Sequence, residues 1–176
     1  MSSCPYRTLT HYNRWSTNEL YDVVAENLGR IVETDRVLIL RLLDHIHTVD
    51  EIFSRNLEGR FHGHLAPKSV ELPTFESLER AARSIGAWYI DNVEQLAPEW
   101  VDQPIDFAFS DGKPARMTRG EVLLHVAAHG TYHRGNVGVL LQKNGVAPNG
   151  DRITDFLESG WSAACRPDRA TGASWH

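Results

Sequence analysis

Apolar residues recur at helical spacing in four separate stretches of this chain. Such spacing forms an apolar stripe along one side of a helix, which packs against neighbouring helices. The pattern predicts four long helices, at about residues 9–28, 35–57, 74–97 and 118–144. A shorter helix is predicted over residues 151–159. We expect residues 1–160 to form a single domain and residues 161–176, which are mostly small and polar, to form a C-terminal tail.

Two segments between the helices depart from this pattern. Residues 60–74 are polar and contain two prolines. They suit a crossover at the end of a helical bundle better than a short antiparallel turn. Residues 105–117 flank Asp111-Gly112, which predicts a β-hairpin. Thr118 and Glu121 then have the spacing of a capping box, so the last long helix should begin there. The predicted fold is all-α, a four-helix bundle with a hairpin-like insertion.

Composition narrows the choice of partner. The chain has 176 residues, a length typical of one domain, with a formal net charge of −5 and no cluster of Lys or Arg. These charges argue against nucleic acid or an anionic membrane as a partner, and the expected partner is a small-molecule substrate. The most apolar stretch, residues 37–43, is too short to span a bilayer, and the first nine residues are polar, unlike a signal peptide. The expected location is cytoplasmic, and the distant Cys4 and Cys165 are expected to be unpaired thiols.

Three histidines, His125, His129 and His133, are spaced four residues apart in the last predicted long helix. At this spacing, successive side chains lie nearly above one another on one face of a helix. Two such imidazoles can bind one metal ion, as in the H-E-x-x-H metalloproteases. Here no Glu follows His129, so the general base of those proteases is missing. The sequence favours a metal site that is not a protease site.

The apolar stripes select three histidines that are expected to face the interior. In the last long helix, His129 and His133 share the stripe of Val122, Val126, Val137 and Leu140. In the second helix, His45 shares the stripe of Leu38, Leu42, Val49 and Ile52. His125 is expected at the flank of its stripe, and His47 faces elsewhere. A single core histidine is more often structural than a ligand. Three imidazoles in one apolar interior, however, are costly unless they are hydrogen-bonded or share a metal.

Three neutral nitrogen ligands without a carboxylate suit zinc, nickel, cobalt, iron or copper better than magnesium or calcium. Zinc is the first expectation, with nickel or iron as alternatives, because three imidazoles and one open position recur in catalytic zinc sites. Such an ion can activate a water molecule or a thiol. Side chains considered for the surroundings of the site are Asn13, Trp15, Asp50, His125 and Tyr132. We expect Arg134 to form an ion pair between helices, with an anionic substrate group as the alternative partner, and Gly130 and Gly135 to mark close approach of a neighbouring helix.

Three motifs occur in order along the chain. They are Tyr12-Asn13-Arg14-Trp15, the segment from Leu43 to Asp50, and the segment from His125 to Gly135. With these motifs the chain resembles the DinB/YfiT-like superfamily of metalloenzymes, which is named in part for damage-inducible bacterial proteins. A common form of the last motif has two adjacent histidines before the Arg, whereas this chain has Tyr132-His133. The resemblance covers most of residues 10–145 and excludes the tail.

The resemblance implies an up-down-down-up four-helix bundle, a metal site formed by His45, His129 and His133, and a homodimer. It extends to thiol-dependent transferases and isomerases of similar fold. Three hypotheses about function follow. The first is a metal-dependent transferase that uses a low-molecular-weight thiol in stress or detoxification. The second is a metal-dependent hydrolase or isomerase that uses metal-bound water. The third is a metal-binding stress protein without catalytic activity.

Overall fold

A computed structural model describes residues 4–161 of the chain. Most of these residues are helical, as predicted. The helices are α1 (Cys4–Asn27), α2 (Glu33–Leu57), α3 (Phe75–Glu94), α4 (Arg119–Lys143) and the short α5 (Ile153–Glu158). The strands are β1 (Pro104–Ala108) and β2 (Pro114–Thr118). Apart from Trp161, whose ring lies 5.1 Å from that of Phe156, the predicted tail falls outside the described residues.

The helix ends follow from local sequence. Thr118 Oγ1 accepts a hydrogen bond from the backbone N–H of Glu121, and the Glu121 carboxylate accepts one from the N–H of Thr118. This capping box pairs backbone donors that the first turn of α4 would otherwise leave unpaired. At the other end of α4, Gly145 has a φ of +69°, a left-handed conformation that favours glycine. Thr74 caps α3 in a similar way, by accepting from the N–H of Ser77.

The strands β1 and β2 form the predicted hairpin between α3 and α4. They pair antiparallel, with Pro104 opposite Thr118 and Ala108 opposite Pro114. Gly112 in the connecting turn has a φ of +82°, consistent with the Asp-Gly turn expected from the sequence. Phe107 of β1 lies 5.7 Å, ring to ring, from Phe53 of α2. The hairpin therefore packs against the C-terminal half of α2.

Polar contacts show which ends of α2 and α4 meet. Arg119, at the start of α4, donates from Nη1 to the backbone oxygen of Leu57 at the end of α2, at 2.9 Å. Lys143, at the end of α4, lies 2.8 Å from the Asp35 carboxylate at the start of α2. The two helices are therefore in contact along most of their length, and residues near their midpoints face each other.

Similar contacts join α1 to α3. His11, in the first half of α1, lies 2.9 Å from Glu94 at the end of α3. Asp22, near the end of α1, pairs with Arg83 of α3 at 2.6 Å. The α1 helix also contacts α4, and α2 contacts α3, so each of the four long helices packs against two others.

The predicted apolar stripe of α2 is wrong by one position in the first half of the helix and correct at Val49 and Ile52, which are buried. Leu38 is 51% exposed, whereas Ile39, Leu43 and Ile46 are buried. Residues 37–43 are apolar at every position except Arg41, so several stripes fit the sequence equally well. In α4, Val122, Val126 and Val137 are buried as predicted, but Leu141 is buried in place of Leu140.

Two further expectations concern the thiols and the membrane. Cys4 is disulfide-bonded, so the expectation of an unpaired thiol at this position is wrong. Its sulfur is therefore not available as a metal ligand. Within residues 4–161, no helix is both long enough and apolar enough to cross a bilayer.

Candidate metal centre

The packing of α2 against α4 brings together the three histidines that the apolar stripes of the sequence predict to lie in one site. His45, His129 and His133 each offer one ring nitrogen, and these three atoms lie within 4.8 Å of one another. The ring centroids are 4.8 Å apart for His45 and His129, 4.6 Å for His45 and His133, and 4.5 Å for His129 and His133. Such a group can hold a metal ion.

All three histidines are half-buried, which corrects the expectation that they face the interior. In α4 the buried positions beside them are Gly130 and Arg134. One residue corresponds to a rotation of about 100° around a helix, so His129 and His133 lie at the margin of the core. The cluster is therefore accessible from solvent on one side, as a site that admits a metal ion and a substrate must be.

The ring of His45 is oriented by a backbone carbonyl. Its Nδ1 lies 2.6 Å from the carbonyl oxygen of Pro67, in the connection between α2 and α3. Because a carbonyl oxygen only accepts hydrogen bonds, Nδ1 must carry the hydrogen, which leaves the lone pair of a neutral ring on Nε2. That Nε2 faces the cluster and lies 3.0 Å from Nε2 of His129. Hydrogen bonds of this kind commonly orient metal-binding histidines.

The geometry fits a transition metal. Tetrahedral zinc with bonds of 2.0–2.1 Å to nitrogen places neighbouring ligand atoms about 3.3 Å apart. The His45 and His129 nitrogens are already close to that separation. The Nδ1 atoms of His129 and His133 are buried and have no hydrogen-bond partner among the described residues. With three imidazole nitrogens and no carboxylate, the donor set suits zinc, nickel or iron better than magnesium or calcium.

The surroundings of His129 and His133 favour the neutral form of both rings. Burial, together with the neighbouring His133, His45 and His125, lowers the pKa of His129 to about 3. Burial, followed by the effect of His45, also lowers the pKa of His133. Imidazole coordinates a metal only in its neutral form, so these two rings are ready to bind at neutral pH.

Two of the side chains considered for the surroundings of the site do contact it. The ring of His125 is stacked 5.6 Å from that of His129 and lies 4.6 Å from Phe53. The ring of Tyr132 lies 4.9 Å from that of His133 and is 68% exposed. His125 therefore flanks the three-histidine group, as expected, and Tyr132 lies at its solvent side.

Asn13 belongs to a different cluster, centred on the buried Arg134. The Arg134 guanidinium donates to Asp151 at 3.0 Å and to Asn13 Oδ1 at 2.5 Å. Asp151 also accepts hydrogen bonds from Tyr12 and Ser16, both at 2.5 Å. The expected partner of Arg134 was another helix, but Asp151 lies in the segment between α4 and α5, which folds back over α1 and α4. A segment beyond the bundle therefore supplies the counter-charge.

The cluster around Arg134 explains why position 130 is glycine, but it does not explain the glycine at position 135. A Cβ atom on Gly130 would lie 2.7 Å from Asn13 Oδ1 and 2.8 Å from Arg134 Nη1. The close approach of α1 therefore requires glycine at this position. A Cβ on Gly135 would have no neighbour within 4 Å, so the expectation of a close helix there is wrong.

Asp50 and Trp15 lie away from the histidines. Tyr89 of α3 donates to the backbone oxygen of Asp50 at 2.8 Å, so this part of α2 faces α3. Burial raises the pKa of the Asp50 carboxyl to about 8, against the opposing effect of Arg134. Trp15 packs 5.7 Å from the ring of Phe156 in α5. Neither side chain is placed to act on a ligand of the three-histidine group.

Comparisons with known proteins found a family model and a relative that match the chain. The model of the DinB family matches residues 1–168. The chain is also similar to Protein DinB of Bacillus subtilis (strain 168), with 25% identity over 149 residues, which cover 79% of this chain and 86% of that protein. No solved structure matches the chain significantly.

Proposed function

The chain belongs to the DinB family, and we propose that it is a zinc-dependent transferase that joins a low-molecular-weight thiol to a small electrophile. The observation that carries the proposal is the group of three ring nitrogens, from His45, His129 and His133, within 4.8 Å of one another. A site with three neutral ligands keeps the full positive charge of a divalent ion and leaves a coordination position open.

A metal ion at such a site supplies one chemical function, the loss of the proton from a coordinated thiol. In the proposed reaction a sulfur–carbon bond forms, the bond from carbon to the leaving group breaks, and the thiol proton is released to solvent. The chain contributes the arrangement of the ligands. His45 is oriented by the Pro67 carbonyl, and His129 and His133 are fixed one turn apart on α4.

The same site would also support a hydrolase or isomerase that uses bound water, or a metal-binding stress protein without activity. A screen of the zinc-loaded protein against thiols and electrophiles separates these functions. We expect turnover that requires the thiol and that is lost in His129→Ala. Turnover without any thiol would favour a hydrolase or isomerase. Full metal loading with no turnover on electrophiles, esters or amides would favour the non-catalytic protein.

For the architecture we propose an up-down-down-up four-helix bundle that forms one domain over residues 1–160. The contacts between helix ends support this arrangement. The start of α4 meets the end of α2 at Arg119 and Leu57, and the start of α1 approaches the end of α3 at His11 and Glu94. Both pairs are therefore antiparallel, as the proposed topology requires.

We also propose that the protein forms a homodimer. Val37 and Leu38 of α2 and Val139 of α4 are exposed apolar side chains that a second copy could cover. Light scattering coupled to size-exclusion chromatography would test this, and a monomeric mass at micromolar concentration would contradict it.

A cytoplasmic location is part of the proposal, because low-molecular-weight thiols are kept reduced there. The disulfide at Cys4 is a bond of the kind that persists in oxidising compartments. Cell fractionation followed by detection of the chain would test the location, and recovery outside the cytoplasmic fraction would contradict it.

A further inference from the structure

A cavity of about 550 Å³ lies between the α2–α3 connection and the β-hairpin. We call it the hairpin cavity. Its apolar lining comprises Phe61 and Leu65 from the connection, Phe107 of β1, and Phe109, which follows β1. The volume lies within the range of small-molecule sites, roughly 300–1,000 Å³. The cavity is therefore large enough for a drug-sized ligand.

His62 joins the two walls of this cavity. Its Nε2 lies 3.1 Å from the carbonyl oxygen of Ala108 at the end of β1, and its Nδ1 lies 3.1 Å from the backbone nitrogen of His64. Because the carbonyl accepts and the backbone N–H donates, one neutral tautomer of His62 satisfies both contacts. The ring of Phe61 is stacked 5.6 Å from His62. The connection and the hairpin are thus tied together where the cavity forms.

Two of the apolar side chains that line this cavity are unusually exposed. Phe61 is 88% exposed and Leu65 is 90% exposed. Clustered apolar surface of this kind marks sites that bind a ligand or a partner. The charged side chains around it are Arg60, Asp106 and Asp111, one basic and two acidic, so the charge of the lining disfavours an anionic ligand portion.

A series of ring contacts leads from the hairpin cavity to the three histidines. Phe107 lies 5.7 Å from Phe53, Phe53 lies 4.6 Å from His125, and His125 lies 5.6 Å from His129. Phe53 in this series is buried, whereas His125 is exposed. The α2–α3 connection, which lines the cavity with Phe61 and Leu65, also reaches the candidate metal centre at Pro67, whose carbonyl oxygen lies 2.6 Å from His45 Nδ1, so one segment of the chain borders both.

We propose that the hairpin cavity binds an uncharged aromatic portion of the substrate, while the reactive end of that substrate extends past His125 to the three-histidine group. The substrate class is an elongated aromatic electrophile. This inference rests on the proposed function, because it assigns the substrate of the same site. Simultaneous binding of one molecule by the cavity and the metal centre can be measured without turnover.

Hydroxamates test this arrangement, because the hydroxamate group binds zinc and its substituent can be varied. Isothermal titration of the zinc-loaded full chain would compare acetohydroxamate with phenylalkyl hydroxamates of increasing linker length. We expect the best phenylalkyl compound to bind at least about tenfold more tightly, as burial of a phenyl group predicts. The tighter binding of the phenylalkyl compound should be lost in Phe61→Ala and Phe109→Ala, whereas the affinity for acetohydroxamate should not change.

Val70→Ala is the matched control. Val70 lies in the same connection and is 98% exposed, but it does not line the cavity. The phenyl advantage should persist in this variant. Because Phe61 is also exposed, its replacement should leave the thermal unfolding temperature unchanged, so loss of binding would not reflect loss of folding. Equal affinities for acetohydroxamate and every phenylalkyl compound, or an advantage that survives Phe61→Ala, would overturn the proposal.

A neutral aromatic probe separates failure of the cavity from failure of the metal site. N-phenyl-1-naphthylamine, which does not need a metal, should bind with equal affinity to wild type and to His129→Ala, and several-fold more weakly to Phe61→Ala. If no hydroxamate binds, but the probe binds wild type and His129→Ala equally and Phe61→Ala more weakly, the proposed metal function fails and the apolar site stands. If the probe binds wild type and Phe61→Ala equally, the apolar site fails whatever the metal does.

Discussion

His45 Nε2 and His129 Nε2 lie 3.0 Å apart, although 84 positions separate the two residues in the sequence. Two neutral imidazoles at this distance share one hydrogen bond or bind one ion. The contact depends on three features at once: the packing of α2 against α4, the Pro67 carbonyl that orients His45, and the one-turn spacing of His129 and His133. It is the centre of the proposed function.

Two glycines of α4 provide a matched pair of substitutions. We expect Gly130→Ala to lower the free energy of unfolding by about 2 kcal/mol, because its Cβ would lie 2.7 Å from Asn13 Oδ1. Gly135→Ala should raise it by up to about 1 kcal/mol, because alanine favours the helix and its Cβ would contact nothing. Urea denaturation followed by circular dichroism would measure both. Equal effects of the same sign would contradict the close contact at Gly130.

The buried pair of Arg134 and Asp151 should contribute strongly to stability. Asp151→Asn leaves the Arg134 guanidinium, whose side chain is 1% exposed, without its counter-charge. We expect a loss of about 3 kcal/mol in the free energy of unfolding. The control is Asp155→Asn, which breaks the exposed pair with Arg152 and should cost less than about 1 kcal/mol.

The ion pair of Arg134 and Asp151 should also make the stability of the protein depend on pH. Burial alone would raise the pKa of Asp151, but hydrogen bonds and charge from Arg134, with hydrogen bonds from Ser16 and Tyr12, lower it below its ordinary value. The stability that the carboxylate contributes is therefore present above the unfolded-state pKa, near 4, and is lost as the pH falls through the folded-state value. Wild type should lose stability relative to Asp151→Asn on acidification. A constant difference between the two proteins from pH 7 downward would argue against the ion pair.

The buried Asp50 should have the opposite effect, so that its contribution to stability falls as the pH rises. Burial raises the pKa of its carboxyl to about 8, so the protonated form is favoured in the folded protein. This contribution is complete below the unfolded-state pKa, near 4, and is lost as the pH rises toward about 8. Wild type should therefore lose up to about 1.4 kcal/mol per pH unit relative to Asp50→Asn over this interval. Asp91→Asn, at an exposed position of α3, is the control and should show no such trend.

Local signals in the sequence placed the hairpin and the helices to within a few residues, except that α1 begins at Cys4 and not near residue 9. The capping box of Thr118 and Glu121 and the turn at Gly112 depend only on neighbouring residues, so they could be recognised without the fold. The apolar run from Val37 to Leu43 could not assign the buried side of α2, because almost every position in it is apolar. That ambiguity produced the one-position error in the predicted stripe.

Features that depend on distant segments were not predictable. The orientation of His45 comes from the backbone carbonyl of Pro67, and any residue at that position would offer the same group. The partner of Arg134 is Asp151, and no periodicity within α4 points to it. The grouping of His45 with His129 and His133 was expected from their positions in two helices. Their half-buried state was not, because it depends on how the neighbouring segments cover the helices.

The central claim is that His45, His129 and His133 bind one metal ion, and metal titration tests it most directly. Wild type should bind one equivalent of zinc. His129→Ala should weaken binding by a factor of at least about 100, since one of three ligands is lost. His125→Ala is the matched control, because this ring contacts His129 without belonging to the group, and it should retain the wild-type stoichiometry and affinity. Unchanged zinc affinity and stoichiometry in His129→Ala would contradict the account.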